Sequence, residues 1–126
     1  MAMINIHQLH VAIINIYGMS SSSLTALQNI LHKTCSRMSS NQLVIVVGDF
    51  NIDMYQTNKK TAALQNFMQN LNLRFLLDKE TKASTSLIDH AWSNISMNYH
   101  TFMSHTYWSD HNAICLLLEE TNANKL

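Results

Sequence analysis

Proline is absent from the 126-residue chain, and glycine occurs only twice, as Gly18 and Gly48. Turns must therefore be built largely by Asn and Ser, which tolerate turn geometry next best. Cysteine also occurs only twice, and the separation between Cys35 and Cys115 fits no metal-binding spacing. We therefore predict that both thiols are buried and that the protein works in a reducing, intracellular compartment, the nucleus being one such location.

An excess of charge and long apolar runs are missing as well. The formal net charge is zero and charged residues make up 13% of the chain, so nothing global attracts it to nucleic acid or to an anionic membrane. No apolar run approaches the ~20 residues that a membrane-spanning helix needs, and we expect no membrane partner. Apolar residues reach 47%, and the length suits one globular domain.

Apolar periodicity predicts the secondary structure. Runs rich in β-branched residues predict strands at 10–17 and 43–47, with 3–7 as a hairpin arm of the first. Apolar residues at spacings of three and four predict helices at about 24–38 and 61–71, and 51–60 is predicted to be a polar loop. Shorter strands are predicted at 73–77, 87–92, 99–105 and 112–118. Strand, helix and strand at this spacing indicate an α/β fold with a mixed sheet and two main helices.

The stretch "VVGDFNID" contains the strongest candidate site. An apolar strand ends at Gly48, and Asp49 and Asn51 follow at a spacing that places them on one face of an extended segment. Ligands of α/β sheets gather beyond the carboxyl ends of strands. A carboxylate there can hold a water or a hard cation, and an amide can steady a phosphate oxygen. The alternative is that Asp49 caps a turn and Asn51 serves the same loop.

Two later stretches pair acidic residues with histidine. Asp89 lies inside the apolar "LIDHAW", and Asp110 and His111 immediately precede the last apolar strand. A histidine oriented by a carboxylate is the general arrangement for activating a nucleophile or meeting a charged oxygen. We predict a largely buried Asp89 that is hydrogen-bonded to His111 and raises the pKa of its imidazole. A purely structural Asp–His pair is the alternative.

The motifs "GDFN" at 48–51, "IDH" at 88–90 and "SDH" at 109–111, in this order, resemble the endonuclease/exonuclease/phosphatase superfamily. The earlier "NIYG" at 15–18 resembles its strand that ends in a functional tyrosine. The sequences of these motifs are most similar to those of endonuclease domains of non-LTR retrotransposons and related mobile elements. The resemblance covers nearly the whole chain. The resemblance implies a four-layer α/β sandwich, of which this chain would supply the C-terminal half.

The same resemblance implies hydrolysis of DNA phosphodiesters with Mg²⁺, or Mn²⁺ in its place. Asp49 would activate or position the attacking water, and Asn51 would orient that carboxylate and contact the phosphate. Asp110, together with Asp49 and Asn51, would hold the metal. His111 would stabilise the charge that develops on the phosphate, with Asp89 as its partner. Further candidates for contacts with the substrate are Tyr17, which would hydrogen-bond the phosphate, and Asn15, Lys59 and Lys60.

One family feature has no counterpart here, namely the glutamate that anchors the metal in the N-terminal half. Glu80 lies between the motifs, and Glu119 and Glu120 follow the last of them. We therefore expect residues 1–126 to form a partial domain that lacks the N-terminal half. An uncovered apolar sheet face would then favour self-association or pairing with that half, and nicking would be weak or absent. The alternatives are a non-catalytic remnant that binds or dimerises and, less favoured, a small-molecule or lipid phosphatase.

Overall fold

Strands and helices succeed one another along the computed structural model, which describes residues 2–6, 9–17, 24–37, 42–78, 86–104, 110–111 and 113–119. The elements in chain order are β1 (Ala2–Ile6), β2 (Leu9–Ile16), α1 (Leu24–Ser36), β3 (Leu43–Asp49), α2 (Lys59–Asn70), β4 (Arg74–Phe75), β5 (Asp89–Ser93), β6 (Asn98–Ser104) and β7 (Ala113–Glu119). The predicted hairpin arm is present as β1. Met38, at the predicted end of the first helix, and the motif residues Gly18 and Ser109 lie outside the described residues.

Five of the strands form one mixed sheet in the order β1-β2-β3-β5-β4. Strands β2 and β3 are parallel and are connected through α1, whereas the other neighbours are antiparallel. Strands β6 and β7 pair with each other as a separate antiparallel sheet. The predicted α/β class, with a mixed sheet and two main helices, is confirmed. The parallel pair brings the carboxyl ends of β2 and β3 to the same edge of the sheet.

The central strand β3 is covered on both faces, as its apolar run predicted. Its first four residues, Leu43 to Val46, are all buried, because a strand flanked by neighbours on both sides presents alternate side chains to two packed layers. Among the side chains that the structure describes, those of β2 to β5 leave no apolar face of this sheet uncovered, so the expectation of such a face is wrong for this part of the sheet. Strand β7 lies outside the sheet, and side chains of the β6–β7 pair pack against the core, among them Tyr99, Met103, Leu116 and Leu118.

Only one face of the β6–β7 pair is covered, so burial alternates along both strands. Phe102 and Leu117 are 52% and 53% exposed, and Cys115, opposite Phe102 in the register, is exposed as well. The prediction of a buried Cys115 is therefore wrong, while Cys35 is half-buried. Self-association stays a prediction, which light scattering of the 126-residue chain would test.

Helix α2 begins two residues earlier than predicted, and Lys59 and Lys60 belong to it rather than to a loop. The reason is a capping box. The Asn58 side chain accepts from the Thr61 N–H at 3.0 Å, and the Thr61 hydroxyl accepts from the Asn58 N–H at 3.0 Å, which satisfies two backbone donors that the helix start leaves free. The strand predicted at 73–77 is shorter, since only Arg74 and Phe75 pair with β5. Neither helix of the described residues is long and apolar enough to cross a membrane.

Candidate active site

The site is built where the parallel strands β2 and β3 end side by side. Gly48 is in register with Ile16 and has a φ of 136°, and a Cβ atom placed on it would lie 1.9 Å from the Ile16 carbonyl oxygen. Only glycine fits such an approach and such a backbone angle. The chain can therefore leave β3 with Asp49 at the sheet edge. Tyr17 directly follows Ile16 at the same edge, with its side chain 92% exposed.

Two carboxylates meet across the next strand pair. Because β5 runs antiparallel to β3, the first residue of β5, Asp89, is directly opposite Asp49. Like charges in this position repel each other, and His111 offsets the repulsion. Its Nδ1 lies 2.9 Å from Oδ2 of Asp89, and its Nε2 lies 3.8 Å from Oδ2 of Asp49. The predicted hydrogen bond between Asp89 and His111 is thus present, and the Asp89 side chain is 17% exposed.

The surroundings of His111 favour its protonated form. The hydrogen bond to Asp89 and the charge of that carboxylate raise the pKa of the imidazole, the charges of Asp110 and Asp49 add to this effect, and partial burial opposes it. With Nδ1–H donating to Asp89, the protonated ring keeps Nε2–H as a second donor, and Nε2 lies 3.8 Å from one oxygen of Asp49 and 3.8 Å from one oxygen of Asp110. The arrangement therefore presents a positive donor where a negative oxygen of a substrate would sit.

Asn51 adopts a backbone conformation that few residue types tolerate. Its φ is 52°, in the left-handed region where asparagine is enriched among residues with a side chain. Its N–H donates to Oδ1 of Asp49 at 2.9 Å. The turn interpretation of the "GDFN" motif is therefore confirmed, and the role of Asp49 and Asn51 at a ligand site stays a prediction. One oxygen of Asp49 closes a turn with Asn51, and the other, Oδ2, faces His111.

The loop that carries Asn51 is hydrogen-bonded to the segment that precedes β5. The N–H groups of Phe50 and Met54 donate to the carbonyl oxygens of Ile88 and Leu87, each at 2.9 Å. In return, the Leu87 N–H donates to the Asp53 carboxylate at 2.9 Å. These bonds join two segments that are more than thirty residues apart in the sequence. They hold Asn51 and Asp89 in a fixed relation to each other.

A residue that the sequence reasoning did not single out lies between these two segments. His90 is fully buried, its Nε2 lies 2.7 Å from the Ile52 carbonyl oxygen, and its Nδ1 lies 3.2 Å from Nε1 of Trp92. An indole nitrogen can only donate, so Nδ1 must accept and the proton is on Nε2. Burial lowers the pKa of His90 to about 4, although its hydrogen bonds to the Ile52 and Leu87 carbonyl oxygens and the nearby carboxylates of Asp49 and Asp53 oppose this. A histidine inside the apolar run "LIDHAW" was the sequence feature that could have revealed it.

Of the remaining candidates, Asp110 lies beside His111, while Asn15, Lys59 and Lys60 are exposed on β2 and α2. The Asp110 side chain is 96% exposed, and its Oδ1 is 3.8 Å from Nε2 of His111. Asn15 is exposed on β2, two residues before Tyr17 and hence on the same face of that strand. Lys59 and Lys60 are exposed at the start of α2. The structure therefore brings together the side chains of Asp49, Asp89, Asp110 and His111.

The donor set suits a hard divalent cation. Among the described residues, ligand atoms of Asp49, Asp89 and His111 lie within 4.8 Å of one another. Because His111 engages Asp89 through Nδ1, the carboxylate oxygens that remain for an ion belong to Asp49 and Asp110. Magnesium commonly takes one or two protein carboxylates and completes its shell with waters and substrate phosphates. The residues present fit that requirement, and they do not distinguish Mg²⁺ from Mn²⁺.

Comparison with known proteins agrees with the fold. The family described as endonuclease-reverse transcriptase matches residues 11–115. A solved structure, the endonuclease/exonuclease/phosphatase family protein from Leptotrichia buccalis C-1013-b, superposes with a TM-score of 0.66 at 16% sequence identity. The match covers 94% of this chain and 52% of the Leptotrichia protein, so this chain spans about half the length of that relative. No curated protein matches the sequence.

Proposed function

We propose that this chain, which belongs to the endonuclease-reverse transcriptase family of the endonuclease/exonuclease/phosphatase superfamily, supplies the catalytic end of a metal-dependent DNA endonuclease. The observation that carries the proposal is the meeting of Asp49, Asp89 and His111 at the carboxyl end of β3. This placement puts a free carboxylate oxygen and a protonated imidazole within reach of one small ligand. Such a pair suits the attack of water on a phosphodiester.

Each side chain has a distinct part in that reaction. Oδ2 of Asp49, which is not used by the turn, orients the attacking water and accepts its proton. His111 donates from Nε2 to a phosphate oxygen as negative charge accumulates on it. Asp89 keeps the imidazole charged and correctly turned by accepting from Nδ1 at 2.9 Å. The amide of Asn51 would hydrogen-bond a neighbouring phosphate oxygen without adding negative charge.

A divalent cation held by Asp49, Asn51 and Asp110 would stabilise the charge on the phosphate and the leaving oxygen as a Lewis acid. The protein's own contribution is to fix the oxygens that would receive it. Oδ1 of Asp49 is held by the Asn51 N–H, and the exposed Asp110 stands on the open side of the site. Among the described residues of the site, Asp49 and Asp110 supply the carboxylates that remain for the ion. We therefore expect weak affinity for the ion.

The open surroundings favour a polymer over a small enclosed substrate. Tyr17 is 92% exposed at the edge beside Asp49, and Asn15, Lys59 and Lys60 are exposed too. Lysines on such a surface attract a phosphate backbone and make its binding dependent on salt. Together with the family description, these features favour DNA over a lipid or a small phosphate ester as the substrate.

The test is nicking of supercoiled plasmid by the 126-residue chain with Mg²⁺, with Mn²⁺ and with EDTA. We expect slow nicking that requires the metal and that falls at least about a hundredfold in Asp49→Asn, because one group both orients and deprotonates the water. Glu119→Gln is the matched control, since this carboxylate is paired with His100 at the far end of β7. Nicking that persists in EDTA, or that Asp49→Asn leaves intact, would refute the proposal.

A further inference from the structure

The imidazole of His90 contacts Phe50 and Ile52, the residues on either side of Asn51 in the sequence. On one side, Phe50 stacks on the His90 ring with centroids 4.4 Å apart and an interplanar angle of 15°. On the other side, the Ile52 carbonyl oxygen accepts from Nε2–H at 2.7 Å. One buried side chain thus restrains the residues immediately before and after the exposed asparagine of the site. Restraint on both sides is what a non-glycine residue with a φ of 52° requires to persist.

The same ring also restrains the segment that carries Asp89. His90 follows Asp89 in β5, and its Nε2–H lies 3.2 Å from the Leu87 carbonyl oxygen as well. Its orientation is fixed from behind by the indole N–H of Trp92, which donates to Nδ1 at 3.2 Å. With both ring nitrogens engaged, His90 cannot turn without leaving a buried polar group unpaired.

We propose that His90 is a positioning residue, which sets the placement of Asn51 and of the Asp49 carboxylate through Phe50 and Ile52. The catalytic benefit of this positioning rests on the proposed nuclease function. The assignment goes beyond that function in naming a residue that touches neither the substrate nor the metal. Outer residues that orient metal-binding side chains commonly change metal affinity or activity about 10- to 100-fold when they are replaced.

The first test uses the unmodified 126-residue chain. Nitrogen-15 NMR of the histidine rings should show one imidazole with its proton on Nε2, and that proton should exchange slowly with water because it is buried in a hydrogen bond. A His90 ring protonated on Nδ1, or one whose ring proton exchanges as freely as that of an exposed histidine, would overturn the assignment without any variant.

The second test compares three variants. His90→Phe keeps an aromatic ring against Phe50 but removes both nitrogen atoms, whereas His90→Gln restores one donor and one acceptor. Leu31→Ala is the matched control, because it removes a buried side chain of α1 and lowers stability without touching the loop. In His90→Phe we expect amide exchange of Asn51, relative to that of Val46 inside β3, to accelerate about tenfold. The control should leave that ratio unchanged.

The third test measures the metal site directly. Broadening of the Asn51 signals by Mn²⁺ should require about tenfold more ion in His90→Phe, and His90→Gln should recover most of the loss. Nicking, where present, should fall in kcat with little change in KM, because the substrate-binding surface is intact. Exchange ratios and Mn²⁺ affinities within about twofold of the unmodified chain would overturn the proposal. A chain that never nicks DNA but shows these differences would refute the nuclease function and leave His90 as a positioning residue.

Discussion

Mild acid should destabilise this fold through His90. The ring is fully buried and neutral, and its two nitrogens are arranged for one proton only, because Nδ1 already accepts from the Trp92 indole. A second proton would break that bond and place a charge in the core. In the unfolded chain the same histidine takes up its proton near pH 6.5, the value from which burial lowers its pKa to about 4.

The direction and the size of this pH effect on stability follow from the two pKa values of His90, 6.5 in the unfolded chain and about 4 in the folded protein. Above pH 6.5 His90 is neutral in both states and contributes no pH dependence. Between that value and about pH 4 only the unfolded chain binds the proton, so the free energy of unfolding falls as the pH falls. Each pKa unit is worth about 1.4 kcal/mol, which makes the loss at pH 4 about 3 kcal/mol. This is a large share of the 5–15 kcal/mol that is typical of a domain.

The measurement is urea denaturation at several pH values between about 7 and 4, with the intact chain and His90→Gln side by side. Carboxylates titrate in both proteins. The difference between their free energies of unfolding therefore reports the contribution of the histidine alone. At pH 7 His90→Gln should have a lower free energy of unfolding than the intact chain. At pH 4 this difference in free energy should be smaller by about 3 kcal/mol. A gap that stays constant over this range would show that His90 is not a buried neutral group, and the reasoning about its hydrogen bonds would fail with it.

Three further predictions concern the residues around the site. Gly48→Ala should lower the free energy of unfolding by about 3 kcal/mol or more, as seen in thermal melts, because the new Cβ would lie 1.9 Å from the Ile16 carbonyl oxygen. By NMR titration, the pKa of His111 should lie above that of an ordinary histidine and return toward it in Asp89→Asn. The stability that this pair provides should be present below the unfolded pKa and should be lost as the pH rises through the folded one. Ser93→Ala should cost about 1–3 kcal/mol in urea denaturation, because the buried hydroxyl bonds two backbone groups.

The positions of the site residues were predictable because they follow from local rules. A β-branched run covered on both faces identified β3, and the carboxylate after its glycine identified the sheet edge where ligands gather. The opposition of Asp49 and Asp89 was not predictable in the same way. It depends on the register between β3 and β5, which is set by packing between segments about forty residues apart.

Two predictions, the start of α2 and the burial of Cys115, were wrong for physical reasons. The start of α2 was missed because Asn58 was taken as part of a polar loop, although the spacing of Asn58 and Thr61 is that of a capping box. Cys115 was expected to be buried because free cysteines usually are, and it lies in an apolar run. In the structure β7 has only one covered face, so alternate residues are exposed whatever their chemistry. An apolar run predicts a strand here, but it does not establish how many of its faces are covered.

The two histidines beside Asp89 have opposite protonation preferences, and the charge of the site depends on that difference. His90 stays neutral inside the core, so it adds no charge beneath the facing carboxylates. His111 is driven toward the charged form on the outer side, where it offsets only part of the negative charge of Asp49, Asp89 and Asp110. The edge of the sheet therefore remains acidic near neutral pH. An acidic edge repels a phosphodiester until a cation arrives, so under the proposed nuclease function a divalent ion would be needed for holding DNA here as well as for cutting it.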